Sequence, residues 1–295
     1  MLKSRLCIAF FAFAVGCAPA QKPLTDYVNP MLGTATLWDS VDLGFKPTKR
    51  TWGAEVFPGS SLPNAMVQVS PVTKFHSGAG YQYEDSVIYG FTHTNKGHWN
   101  LCHIPLLPVT GTPTPGDYCS PFSHERESAA PGYYQVFLDR YGVDAQLSST
   151  LRCAFHKYTY PAGAAPAVLA DLQRSNEHVR AWDIRKEGDN VFAGWQQTGE
   201  KMYFYAVANR PVTGIEPVVE GDREVRIVRF GEGDGALELR IGFSFVSEKN
   251  ARENLEAEML GKSFAEVRSE ATATWNDLLG RIRVEGGTER EKGLF

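Results

Sequence analysis

A two-residue alternation in the second half of the chain restricts its fold more than any other feature. In Leu237–Phe245 every odd position is apolar and every even position is polar or glycine, which is typical of a strand with one buried face. Similar runs, separated by clusters of glycine, proline, asparagine or aspartate, are Tyr134–Leu138, Phe155–Tyr160, Val168–Leu172, Val191–Trp195, Tyr203–Val207 and Val225–Ile227. Strands and turns at this spacing predict a large antiparallel β-sandwich.

Near residue 247 the pattern becomes helical. Lys249–Met259 is rich in alanine, glutamate and leucine, and Ser263–Glu266 has the spacing of a capping box. Gly280 is a suitable helix stop, and before it one apolar face is formed at spacings of three or four by Phe264, Val267, Ala271, Trp275 and Leu278. We expect this helical connector to pack against a neighbouring domain, without which its apolar face would be partly exposed.

The last residues predict a helix that has only begun. Thr288 is a hydroxyl N-cap, and Glu289 places an acid in the first turn. A natural C-terminus rarely lies one turn into a new helix. We therefore interpret the chain as an accessory domain and expect the module that it serves to be cut away or missing after Phe295.

Residues 1–20 have the features of an export signal. Lys3 and Arg5 precede an apolar stretch, Leu6–Val15, which is too short to span a bilayer. The following Ala14–Cys17 resembles a bacterial lipobox, in which Cys17 would be lipidated, whereas Ala18-Pro-Ala20 is an alternative cleavage site. Both readings predict a protein that leaves the cytoplasm, and the net charge of −4 without a basic stripe argues against a nucleic-acid partner.

Three cysteines remain after the signal segment. A disulfide between Cys102 and Cys119 is compatible with an oxidising compartment, and the alternative is that these two and Cys153 are all buried free thiols. An odd number without a paired C-x-x-C motif makes a zinc site improbable.

The block 53–111 contains the residues best suited to bind a sugar. Aromatic faces take up the C–H side of a pyranose, and fixed polar groups satisfy its hydroxyls. The sharpest cluster is His98-Trp99-Asn100, preceded by His93 at the end of a predicted strand. Gly97 allows a turn that would project His98 and Trp99 outward. The alternative is that Trp99 is a core residue and that its two neighbours lie on the surface.

Two other groupings in this block are poor candidates for chemistry. His93, His98 and His103 recur every fifth residue, a step that places them on one face of neither a helix nor a strand, so we predict no metal site. Glu84 and Asp85 are adjacent carboxylates, and adjacent strand residues point to opposite faces. They are therefore not expected to flank one bond as an acid and a base.

Several segments, taken in order, resemble the N-terminal domain of glycoside hydrolase family 92, the bacterial exo-acting α-mannosidases. They cover nearly the whole chain after the signal segment and include Tyr27–Thr34, Val56–Gly59, Met66–Pro71, Gly80–Tyr83, Ile88–Thr94, Phe155–Pro161, Ile241–Ser247, Asn250–Glu258, Trp275-Asn276 and Val284–Thr288.

The resemblance implies a mainly β fold, an antiparallel β-supersandwich of the galactose-mutarotase type over residues 21–247. It further implies a helical linker over 248–283 and the start of an (α/α)₆ catalytic barrel from 284, most of which is absent from this chain. Family members are calcium-dependent inverting enzymes whose catalytic carboxylates, like most of their calcium and mannose contacts, belong to the barrel. The resemblance thus implies no catalytic residue here, and mannose-containing glycans and the missing barrel as partners.

The chain departs from the family pattern at Asn95–His103, where the family has a glycine-rich loop containing aspartate, and residues 35–52 look like an insertion. Loops in this region face the barrel in the family, so His98 and Trp99 are expected to contact the sugar beyond the scissile bond. A different interpretation, which treats Phe295 as a genuine end, is a free-standing carbohydrate-binding or scaffolding module of the cell envelope.

Overall fold

The computed structural model describes residues 22–36, 56–96 and 99–295. In chain order the strands are β1 Ser60–Ser61, β2 Gln68–Val72, β3 Val87–Ile88, β4 Gly90–Thr92, β5 Asn95–Lys96, β6 Trp99–Asn100, β7 Leu106–Val109, β8 Ser120–Pro121, β9 Glu127–Ala130, β10 Tyr133–Leu138, β11 Val143–Ser149, β12 Cys153–Thr159, β13 Ala167–Ala170, β14 Ala181–Lys186, β15 Val191–Gln197, β16 Lys201–Ala208, β17 Val212–Glu220, β18 Arg223–Phe230 and β19 Leu237–Ser244. The helices are α1 Glu248–Glu258, α2 Phe264–Leu279 and α3 Glu289–Leu294, and two 3₁₀ turns span Leu24–Tyr27 and His124–Arg126.

Two large antiparallel sheets form the body of the domain. Within the described ranges, one has seven strands in the order β1-β2-β4-β7-β13-β18-β17, and the other has eight in the order β14-β15-β16-β19-β12-β11-β10-β9. Two small two-stranded sheets, β3-β8 and β5-β6, are separate from these large sheets. The predicted antiparallel β-supersandwich is therefore confirmed.

The alternating segment forms the centre of the eight-stranded sheet. Strand β19 pairs with β12 on one side and with β16 on the other. Its odd residues, Leu237 to Phe243, are fully buried, as the alternation predicts. Helix α1 crosses this strand so closely that a Cβ atom at Gly242 would collide with the carbonyl oxygen of Ala251. A glycine at position 242 is therefore required for the helix to pack here.

The core between the sheets consists of aliphatic and aromatic side chains from both layers. The largest fully buried members include Phe91 from the seven-stranded sheet and Tyr134, Tyr158, Phe204 and Phe243 from the eight-stranded sheet. Burial of each such side chain contributes about 1.5–3 kcal/mol relative to exposure.

Helix α2 packs on the sandwich of its own chain. The predicted capping box is present, since Ser263 Oγ accepts from the Glu266 amide and the glutamate accepts from the Ser263 amide, and Gly280 is the C-cap. Phe264 meets Phe155 edge to face with ring centroids 5.2 Å apart, and Val267 is 1% exposed in the same cluster. The eight-stranded sheet buries Phe264, Val267 and Ala271, so the expected partial exposure of this face fails there, whereas Trp275 and Leu278 are half-buried, as expected.

The end of α2 is held by the first described residues and by β1. Trp275 Nε1 donates to the Ser61 carbonyl oxygen at 2.7 Å, and Asn276 Oδ1 accepts from the Thr25 amide at 3.0 Å. Helix α3 begins at the predicted cap, with Thr288 Oγ1 accepting from the Glu291 amide. Helix α2 is thus held by the 3₁₀ turn at Leu24–Tyr27 and by β1.

Candidate functional site

The indole of Trp99 lies on a short hairpin that follows β4. Strands β5 and β6 pair through Asn95 with Asn100 and through Lys96 with Trp99. Trp99 is 42% exposed, so it is a surface residue and the alternative of a core tryptophan is excluded. Gly97 and His98 lie outside the described residues. The predicted sugar contacts of His98 and Trp99 stay predictions.

Asn100 anchors the hairpin from inside and is not available to a ligand. It is fully buried; its Oδ1 accepts from the Cys102 amide at 2.7 Å, and its Nδ2 donates to the Ala79 carbonyl oxygen at 3.2 Å. A Cβ atom at Gly80, whose φ is +77°, would lie 2.6 Å from Nδ2. The prediction that Asn100 binds sugar directly is therefore corrected: its side chain is consumed in holding the loop that carries Trp99.

A segment distant in sequence braces the same hairpin. Asn176 Oδ1 accepts from the His76 amide at 2.6 Å, and its Nδ2 donates to the Asn100 carbonyl oxygen at 2.6 Å. Ser175 Oγ donates to the Leu101 carbonyl oxygen at 2.6 Å. Sequence reasoning missed these two residues. The usable signal was the polar run after the apolar segment 168–172, since polar residues at strand ends often position loops.

Backbone strain is concentrated in these loops. His76, Cys102 and Ile104 are non-glycine residues with φ between +53° and +60°, and among the described residues only one other, Asn64, shares this conformation. For a β-branched residue such as Ile104 the left-handed region is a genuine outlier. Each such residue costs about 1–3 kcal/mol and persists only where surrounding contacts enforce it. Strain of this kind clusters at functional sites, which supports the loops around the hairpin as part of the candidate site.

His93 lies in the interior rather than on the binding surface. Its Nε2 is 3.0 Å from Nε2 of His156, whose Nδ1 is 2.5 Å from the Tyr158 hydroxyl. Burial lowers the pKa of His93 to about 3, although the nearby backbone carbonyls of His103 and Ile104 raise it. The ring is neutral and fully buried. The prediction that His93 contacts substrate is corrected for this reason.

His103 is also buried and neutral. Thr198 Oγ1 donates to Glu177 Oε2 at 2.6 Å and therefore accepts from His103 Nε2 at 3.0 Å, while His103 Nδ1 accepts from Thr94 Oγ1 at 2.9 Å. Burial lowers the pKa of His103 to about 4, and the Glu177 carboxylate raises it. The ring ties the start of β5 to the end of β15 and is not placed to exchange protons with a ligand.

The two adjacent carboxylates, Glu84 and Asp85, lie at a turn rather than on a strand, so the strand geometry used to separate them does not apply. Glu84 Oε1 accepts from the Thr36 amide at 2.6 Å, whereas Asp85 Oδ2 accepts from Thr73 Oγ1 at 2.7 Å. Both border an open cleft of about 450 Å³ whose wall also includes Arg174. Among the described residues, no three histidine, cysteine or acidic side chains are arranged to hold a metal ion.

The three cysteines of the described chain are free thiols. Cys102 and Cys153 are buried, and burial raises the pKa of each thiol well above its usual range. The possible Cys102–Cys119 disulfide is therefore absent. The alternative of three buried free thiols holds for Cys102 and Cys153 but not for Cys119, which is half-buried.

Comparison with known families identifies the domain. The family model described as the glycosyl hydrolase family 92 N-terminal domain matches residues 27–254. The chain belongs to this family. The model of the family 92 catalytic domain matches residues 250–295 and so takes in most of the segment that we predicted to be a linker.

Similar proteins cover the domain but extend well beyond it. An uncharacterized secreted glycosidase of Arthroderma benhamiae is 24% identical over 88% of this chain and 38% of its own length. A family GH92 α-mannosidase from Bacteroides thetaiotaomicron superimposes with a TM-score of 0.81 at 25% identity, over 93% of this chain and 40% of that protein. A family GH92 inverting mannosidase from the same species gives a TM-score of 0.76 at 24% identity, over 92% and 38%. The chain thus spans about two fifths of the length of these relatives.

The export prediction falls on residues that the structure does not describe. The signal segment 1–20, Cys17 and most of the suspected insertion 35–52 are outside the described ranges. None of the helices within those ranges has the length and apolarity needed to cross a bilayer.

Proposed function

We propose that this chain is the N-terminal, non-catalytic part of a calcium-dependent inverting exo-α-mannosidase that trims mannose from glycoprotein N-glycans. The carrying observation is the surface position of Trp99 on a heavily braced hairpin, beside loops with strained backbone, in a family 92 N-terminal domain. Fixed aromatic faces are well suited to a pyranose, because little side-chain freedom is lost on binding. An α-mannosidase among the structural relatives supports mannose as the sugar.

In this proposal the domain contributes binding and support, and chemistry takes place on the catalytic domain. An inverting glycosidase needs an acid and a base about 6.5–9.5 Å apart. The carboxylates at the candidate site, Glu84 and Asp85, accept hydrogen bonds from Thr36 and Thr73, and we assign neither of them a catalytic role. Among the described residues no three histidine, cysteine or acidic side chains come together as metal ligands, and we assign the calcium ion that the family resemblance implies to the catalytic domain.

We further propose that the protein acts outside the cytoplasm, anchored through Cys17 or released after signal cleavage. The positively charged and apolar start of the chain supports export, as does the secreted glycosidase among its relatives. Labelling of the chain with a radioactive fatty acid would distinguish the lipoprotein from the cleaved form.

The test of the sugar contact is kinetic and uses this chain joined to a family 92 catalytic domain. Trp99→Ala should lower kcat/KM for mannobiose by about 10- to 100-fold and for an aryl α-mannoside much less, because only the disaccharide has a sugar beyond the scissile bond. Trp195→Ala is the matched control, since Trp195 is a half-buried aromatic residue on β15. Equal losses on both substrates with a lowered Tm would contradict the proposal.

The free-standing carbohydrate-binding module has one observation in its favour. The apolar face of α2 is already covered by the sandwich, so the described chain does not need a second domain to bury Phe264 and Val267. This rival predicts a monomeric chain that binds mannan and releases no mannose from an aryl α-mannoside, even when a family 92 catalytic domain is added.

A further inference from the structure

We propose that the cleft beside the Trp99 hairpin is a second sugar subsite, which takes a further neutral hexose of the same glycan. The cleft lies between the loop 73–76 and the segment 84–89, with Arg174 in its wall. The proposal rests on the proposed function, because it assumes that a mannose-type glycan reaches Trp99.

Arg174 is held in place and keeps most of its donors free. Its guanidinium lies 4.3 Å from the ring centroid of Phe75 and 4.9 Å from that of Tyr89, which fixes its plane. Within the described chain its guanidinium donates to the Tyr118 hydroxyl at 3.3 Å. The nearby carboxylate of Asp171 is bonded to Tyr118 and Arg223 and not to Arg174. A guanidinium has five N–H donors in a rigid fork, so two neighbouring sugar hydroxyls can accept from it together.

The charges of the cleft favour a neutral ligand. Lys74 and Arg174 bring two positive charges, and Glu84 and Asp85 bring two negative charges. An anion would meet both carboxylates, which have no compensating excess of cations around them. A sugar hydroxyl both donates and accepts, so it can satisfy the guanidinium and the remaining lone pairs of the carboxylates at once.

One side chain joins the cleft to the hairpin. Asn176 accepts from the His76 amide at the rim of the cleft and donates to the carbonyl oxygen of Asn100, the residue after Trp99. One amide group and two hydrogen bonds of 2.6 Å each therefore link the rim of the cleft to the hairpin. In this proposal one sugar of the glycan lies at Trp99 and the next lies in the cleft.

Titration calorimetry of the chain with mannobiose and with mannotriose tests the subsite. The unchanged chain should bind mannotriose about tenfold more tightly than mannobiose, because one additional charge-assisted hydrogen bond contributes about that much to affinity. Arg174→Met should bind the two sugars equally, whereas Trp99→Ala should weaken both. The control is Arg268→Met, because Arg268 stacks on Tyr133 at 3.6 Å on the other face of the sandwich. It should keep the tenfold preference.

Four outcomes would overturn the subsite. The first is a preference for mannotriose that persists in Arg174→Met. The second is the absence of this preference from the unchanged chain while Trp99→Ala still weakens mannobiose binding; this result leaves the proposed function intact. Inorganic phosphate could bind and bind more tightly to Asp85→Asn, which would mean an anion site. Absence of binding by either sugar would count against the proposed function as well. If Arg174→Met fails to fold, Arg174→Lys keeps the charge, lacks the fork and should lose most of the preference.

Discussion

Acidification from about pH 7.5 to about pH 5 should destabilise this domain through its buried histidines. Burial lowers the pKa of His93 to about 3 and of His103 to about 4, against about 6.5 for a free imidazole. Below about pH 6.5 the unfolded chain takes up protons that the folded chain refuses until about pH 4. Stability that is present above pH 6.5 is therefore lost as the pH falls.

The size of the effect follows from the same pKa values. A pH of about 5 lies about 1.5 units below the pKa of an unfolded imidazole. Protonation of the unfolded chain therefore lowers the free energy of unfolding by about 2 kcal/mol per buried histidine. His93 and His103 together give about 4 kcal/mol, and His156 acts in the same direction, since burial and its neighbour His93 lower its pKa. This is a large part of the 5–15 kcal/mol that is usual for a folded domain.

Urea unfolding between about pH 7.5 and pH 5 measures this loss directly. His103→Gln keeps hydrogen-bonding groups near Thr94 and Thr198 but cannot titrate, so it should remove about 2 kcal/mol of the pH-dependent loss. His178→Gln, at an exposed side chain, should follow the profile of the unchanged chain. A free energy of unfolding that stays constant to pH 5, or an identical slope in His103→Gln, would refute the reasoning.

Two further predictions concern helix α2. Gly132→Ala should destabilise the domain by about 1–3 kcal/mol, because φ is +79° and the new Cβ would lie 2.6 Å from Cβ of Ala271. The second substitution Ala271→Gly should restore part of the loss by relieving this contact. Full stability of Gly132→Ala would contradict the packing. Ser263→Ala should lower the free energy of unfolding by about 1 kcal/mol, measured by heat or urea, because it removes the capping box. The control Ser269→Ala, on the exposed side of the same helix, should lower it by less than about 0.5 kcal/mol. Equal effects would show that the cap is not stabilising.

Local patterns predicted those parts of the fold that depend on residues close in sequence. The capping box at Ser263, the cap at Thr288 and the alternating strand β19 were all found because their causes lie within about ten residues. The burial of Phe264 and Val267 against the domain's own sheet was not predicted. Which surface meets an apolar helix face is decided by Phe155, more than one hundred positions earlier in the chain, and periodicity carries no information on that partner.

The same distinction explains the candidate site. The sequence marked His98, Trp99 and Asn100 as one cluster with His93 before it, but adjacent strand residues face opposite directions, so Trp99 is exposed while Asn100 is buried. His93 is buried against His156, which is distant in the sequence. The brace from Asn176 could not be predicted from local pattern, because its two partners lie 100 and 76 positions away. Polar residues that position a distant loop can be recognised only when the fold shows which residues they bond.

The most direct test of the central claim is the position of the Trp99 indole resonance during a titration with mannobiose. In an ¹H–¹⁵N spectrum of the chain, the Nε1–H signal of Trp99 should shift progressively with added sugar. The signal of Trp275 is an internal control, because its Nε1–H is bonded to the Ser61 carbonyl oxygen and should stay in place. Shifts confined to other tryptophans, or a Trp99 signal that does not move at saturating mannobiose, would contradict the account.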